Sequence, residues 1–97
     1  MIIIAGTFDF EPSDREEFLS AIPEFVWAAN DEDGCHAYSF AADPYDSGRV
    51  WLYELWDDDA LDRHLDTPHY KSLRAVLVKA NVKGTNIRQF DATEVPR

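Results

Sequence analysis

The stretch Arg49–Trp56, RVWLYELW, has no polar face. A strand sends successive side chains to opposite sides of its sheet. Here Val50, Leu52, Glu54 and Trp56 fall on one side and Trp51, Tyr53 and Leu55 on the other, and both sets are mostly apolar. That is the pattern of a strand covered on both faces. The run from Ile2 to Phe10 behaves alike, with Ile2, Ile4, Phe8 and Phe10 against Ile3, Ala5 and Thr7. A chain of 97 residues has material for one core and one layer of helices. Leaving the other sheet face bare would expose roughly several hundred Å² of apolar surface, more than monomers usually carry. A second copy packed sheet on sheet removes it, so a homodimer is expected.

The remaining elements follow from periodicity and punctuation. After the first strand, Ser13 and Glu16 have the spacing of a capping box that opens a helix. Phe18, Ile22, Phe25, Val26 and Ala29 form its apolar stripe, and Pro23 is expected to kink it. Asn30 to Gly34 reads as the stop. His36 to Ala42 forms a second strand, and the turn cluster DPYDSG joins it to Arg49–Trp56 as an antiparallel hairpin. Asp57, Asp58 and Asp59 suit the positive end of the next helix. Thr67-Pro68 signals another start, a capping hydroxyl followed by proline at the first helical position. The stripe Tyr70, Leu73, Val76, Leu77 and Ala80 leads to a last strand from Thr85 to Phe90. The order is β-α-β-β-α-β, an α+β, ferredoxin-like unit with a four-stranded antiparallel sheet in one domain over residues 1–97.

Nineteen acidic against nine basic residues give a net charge of −10. Neither nucleic acid nor an anionic membrane surface suits such a chain, since both demand a basic footprint. The apolar start MIIIAGTFDF lacks a basic flank and a cleavage site and is too short to span a bilayer. Cys35 is the only cysteine, which excludes an internal disulfide and a multi-cysteine metal site and fits a reducing cytoplasm.

Five side chains can carry chemistry. Glu54 is a lone carboxylate in an apolar strand, costly to bury unless paired or protonated. It is either a base or acceptor in a pocket, or half of a salt bridge with Arg63, Arg74 or the dimer mate. Trp56, on the same face, offers an apolar wall and an indole donor, or simply plugs the strand–helix corner. His64 shares a helical stripe with Leu61 and Leu65, which turns its ring inward as a proton shuttle or as a core histidine bonded to a carbonyl. His69 follows Thr67-Pro68 and either lines the same space or orders the break. Tyr38 reaches that space if the hairpin register sets it opposite Glu54. Trp51 and Tyr53 point away, toward the dimer interface. No serine or threonine sits in a nucleophile elbow, and no glycine-rich phosphate loop follows a strand. His36, His64 and His69 lack the i, i+4 spacing of a helical zinc motif, so no metal is indicated.

The segment GCHAYSFAADPYDSGRVWLYELWDDDALDRHLDTPHY resembles the antibiotic biosynthesis monooxygenase family of small dimeric α+β barrel proteins. The likeness is carried by Gly34-Cys35, Tyr38, Asp43-Pro44, Tyr53-Glu54, Trp56, Ala60-Leu61, His64-Leu65 and Pro68-His69-Tyr70. It implies sheet-to-sheet dimerisation into an α+β barrel. It also implies oxidation of a quinol, polyphenol or similar aromatic molecule by molecular oxygen, with no cofactor. On that resemblance His64 or Glu54 is the base, Trp56 the oxyanion donor or wall, and Tyr38, Leu52 and His69 line the substrate site. Leu52 departs from members with a polar residue at that place. Thr7 or a neighbour stands where haem-degrading members carry asparagine, so haem cleavage is not expected. The alternative is a non-catalytic dimeric module of the same fold that binds a small apolar ligand or stabilises a partner. Both readings expect an open cavity lined by Tyr38, Glu54, Trp56 and His64.

Overall fold

The computed structural model describes all 97 residues. Its elements are β1 (Ile2–Asp9), α1 (Pro12–Ala21), α2 (Pro23–Asn30), β2 (Cys35–Ala42), β3 (Arg49–Trp56), α3 (Ala60–Leu65), α4 (Pro68–Lys79) and β4 (Gly84–Asp91). The four strands form one antiparallel sheet in the order β2-β3-β1-β4, the ferredoxin-like arrangement. The expected β-α-β-β-α-β order therefore holds, with each helical segment divided in two.

Proline makes both divisions. Pro23 stands at the first position of α2, and Ile22 between the helices takes φ −108° and ψ −8°. The expected kink is thus a break, because proline starts a helix more easily than it continues one. Pro68 opens α4 in the same way, and the Thr67 hydroxyl oxygen accepts the Tyr70 N–H at 3.2 Å. The same hydroxyl donates to the His64 carbonyl at 2.7 Å, which locks the end of α3 to the start of α4. One expectation needs correction. Ser13 does not cap α1: the helix begins two residues earlier than that cap implies, with Glu11 at the cap position, Pro12 first in the helix, and no side-chain cap bond. The preset φ of proline fixes the start ahead of the weaker serine signal.

Alternation along β3 sorts its residues as expected. Val50, Leu52, Glu54 and Trp56 are buried beneath the helices, whereas Trp51 is 48% and Tyr53 42% exposed on the opposite face. Register sets Ile3 beside both Leu55 and Phe90, extending an apolar strip across the helix-free face. The Trp51 Nε1–H donates to Asp43 Oδ2 at 2.6 Å. That bond, together with the N–H groups of Tyr45 and Asp46, holds the Asp43 carboxyl below its ordinary range. Gly6 at the centre of β1 has φ +152°, and a Cβ there would come within 1.9 Å of the Asn86 carbonyl oxygen, so only glycine fits. Phe18 of α1, Ala29 of α2, Leu61 of α3 and Leu73 of α4 meet Val50, Leu52 and Trp56 in one core. No helix is long and apolar enough to cross a membrane.

Candidate functional site

The hairpin register pairs Tyr38 with Glu54, so the two share the helix-covered face at one level of the sheet. Trp56 lies two residues on, and its indole N–H donates to Glu54 Oε1 at 2.9 Å. Glu54 therefore has neither suggested arginine as partner; Arg63 pairs with Asp59 at 3.2 Å instead. Burial is the main reason the Glu54 carboxyl rises from 4.5 to about 7; the Trp56 bond opposes the rise and the charge of Glu32 adds to it. Burial also raises the Tyr38 phenol well above its usual range, which keeps it protonated.

Helix α3 lays His64 over these residues. Its ring centroid is 4.6 Å from that of Trp56, 5.3 Å from Tyr38 and 5.0 Å from Tyr70. Sequence reasoning missed its polar partner. Glu32, in the turn after α2, places Oε2 2.6 Å from His64 Nδ1 and 2.7 Å from His69 Nε2. One carboxylate oxygen thus gathers both histidines, so neither depends on a backbone carbonyl. The His64 pKa is lowered, because burial disfavours its cation more than Glu32 favours it. A neutral imidazole beside a carboxylate carries its proton on Nδ1, leaving the Nε2 lone pair for another group.

Tyr38, Glu54, Trp56, His64 and His69 are therefore brought together, with Leu52 one layer along β3 opposite Phe40 and Gly6. They pack against one another rather than line the open cavity expected of them: Trp56 is 0% and His64 2% exposed. The two cavities of note lie elsewhere. One of about 300 Å³ opens between α1 and α4, lined by Phe18, Ala21, Val76 and Ala80. The other, about 150 Å³, is a dimple on the helix-free face beside Ile3, Tyr53 and Leu55. At the edge of the site the Glu32 and His69 side chains, 14% and 21% exposed, reach the surface.

The family model described as antibiotic biosynthesis monooxygenase matches residues 1–76, from β1 into α4. The chain belongs to the antibiotic biosynthesis monooxygenase family. A crystal structure from Deinococcus radiodurans, described as a candidate antibiotic biosynthesis monooxygenase, superposes with a TM-score of 0.86. It is 24% identical and covers 100% of this chain and 97% of its own, a likeness of fold. A structure named antibiotic biosynthesis monooxygenase is 27% identical, with a TM-score of 0.79 over 97% of this chain and 100% of its own. An uncharacterised protein of Synechocystis sp. is 33% identical over 70 residues, which is 71% of this chain. The chain spans about half, 48%, of that relative's length.

Proposed function

We propose that this family member is a cofactor-independent monooxygenase of quinols or related polyphenols, working as a homodimer in a reducing, cytoplasmic setting. The observation that carries the reading is the 2.6 Å contact between Glu32 and His64 Nδ1, made under the enclosed wall of Trp56 and Tyr38. Glu32 is the positioning residue: it fixes the ring and its tautomer, so that Nε2 faces the substrate as a base. Nε2 removes a hydroxyl proton from the quinol, and the electron-rich ring then reduces oxygen directly. Net, one quinol and one O₂ give one hydroxyquinone and one water. The O–O bond breaks, one oxygen forms the new C–O bond, and the other leaves as water with two hydrogens from the substrate. Trp56, whose N–H is engaged by Glu54, acts as an apolar wall. Tyr38, held protonated, is a donor to the substrate oxyanion. Leu52 and His69 border the site. Glu54, titrating near neutrality, takes up and returns the second proton. Entry requires the elbow between α3 and α4 to swing outward where Glu32 and His69 meet solvent, after which its return excludes water.

Oxygen consumption with a panel of hydroquinones tests this. Wild type is expected to turn over at least one of them, and His64→Ala to fall by about 100-fold or more, the usual worth of a general base. Equal rates in the two proteins remove His64 from the mechanism. The close packing of Trp56 and His64 leaves no preformed cavity and so weighs against both ligand-binding readings. The second reading is a non-catalytic dimeric module that stabilises a partner, or that binds a ligand once the same elbow opens. In that case hydroquinones raise the melting temperature without any oxygen uptake.

A further inference from the structure

We infer that Glu32, His64 and His69 form a binding site for one divalent transition-metal ion of the zinc type, an inference that does not rest on the oxygenase reading and that describes a state in which the bound ion occupies His64 Nδ1 and silences the base. Glu32 Oε2, His64 Nδ1 and His69 Nε2 all lie within 4.8 Å of one another. They come from three separate pieces of backbone: the turn after α2, the body of α3 and the first turn of α4. No helical i, i+4 motif is present, yet the two imidazoles face one oxygen because the chain breaks at Thr67-Pro68. The Thr67 hydroxyl, bonded to the His64 carbonyl and the Tyr70 N–H, fixes the angle of that break. Two imidazoles and a carboxylate suit zinc and its first-row neighbours better than magnesium or calcium, which favour all-oxygen shells.

The geometry needs a local adjustment on both sides of the carboxylate. Bonds of about 2.1 Å in a tetrahedral shell set donor atoms about 3.4 Å apart. The present 2.6 and 2.7 Å contacts are hydrogen bonds, which an outward shift of the Glu32 carboxylate opens to that spacing, while the two imidazole nitrogens, within 4.8 Å of each other, draw together as the partly exposed His69 ring moves toward buried His64. The partly exposed Glu32 and His69 side chains give an ion a way in and a side on which water completes the shell, while buried His64 anchors it. On ligation the Nδ1 proton of His64 moves to Nε2 and the Nε2 proton of His69 to Nδ1, so both rings stay neutral. The chain's charge of −10 attracts cations in general. The test therefore has to separate this site from diffuse binding.

Protein stripped with EDTA and exchanged into chelator-free buffer is titrated calorimetrically with Zn²⁺ at pH 7, and separately with Co²⁺ while visible absorption is recorded. One ion per chain is expected at micromolar or tighter Kd, with the visible bands of a low-coordinate Co²⁺ site. His69→Ala and Glu32→Gln should each weaken Zn²⁺ binding roughly 100-fold, whereas Asp14→Asn, on the distant α1, leaves it unchanged. Far-ultraviolet circular dichroism identifies a variant that fails to fold, and the other variant then carries the comparison. No saturable binding by wild type, or equal affinity in wild type and in the folded site variants, overturns the inference.

Discussion

Glu54→Gln is expected to be more stable than wild type at pH 8 by about 2–3 kcal/mol, and to show almost none of that advantage at pH 5. In the folded chain burial lifts the carboxyl from 4.5 to about 7. Between those values the folded protein keeps a proton that the unfolded chain has released. Wild-type stability is therefore greatest below about 4.5, as far as this group is concerned, and is lost as pH rises through 7. At 1.36 kcal/mol per unit the full loss is about 3 kcal/mol. Glutamine keeps an acceptor for the Trp56 indole and has no charge to desolvate; its unpaired amide N–H groups offset part of the gain. Urea unfolding at equal protein concentration, at pH 5, 6, 7 and 8, separates the outcomes. Wild-type stability should fall relative to the variant across this range. Curves that stay parallel would show that Glu54 is not held protonated by burial. The same property makes Glu54 useful to a reaction that must park a proton near neutral pH.

The second large effect concerns assembly. Trp51→Ser combined with Tyr53→Ser is expected to convert a dimer into a folded monomer. These two aromatics stand half-exposed at the middle of the helix-free face, flanked by Leu55, Ile3 and Phe90 through the strand register. A stable interface of ordinary size covers roughly 800 Å² per partner, and a central aromatic often contributes about 2 kcal/mol or more. Removing both should raise the dimer dissociation constant by about 10³-fold or more. The buried core lies on the other side of the sheet, so the secondary structure should persist. Sedimentation velocity at about 10 μM reads the difference directly. A monomeric wild type would refute the sheet-face dimer, and a double variant that still dimerises would move the interface elsewhere.

Much of this was legible in the order of residues. The bounds of β3, its division into a core face and an open face, and the Thr67-Pro68 start of α4 all follow from local rules, because each signal lies within a few residues of the feature it sets. The pairing of Tyr38 with Glu54 hung on the hairpin register, which the turn cluster alone leaves open and the structure sets. Glu32 could not be found that way. It sits in a polar turn that reads as a helix stop, and its partners are 32 and 37 residues distant. Only the packing of α2 against the α3–α4 elbow makes them neighbours. An acidic residue in a stop turn facing an inward histidine across the fold was the one available hint. The tight closure of the site was equally hidden, since alternation shows that Trp56 and His64 point inward but not whether they leave space between them. The serine cap failed for the opposite reason: two start signals stood side by side, and the proline was the stronger.

The proposed chemistry turns on Glu32 holding His64 as a neutral imidazole with its proton on Nδ1 and a free Nε2. Nitrogen-15 chemical shifts of the imidazole rings in EDTA-treated protein at pH 7 test it most directly. A protonated-type shift is expected at His64 Nδ1 and a bare, pyridine-like shift at Nε2, with the pattern at His64 disturbed in Glu32→Gln. A proton on His64 Nε2, or an imidazolium ring at that pH, would contradict it.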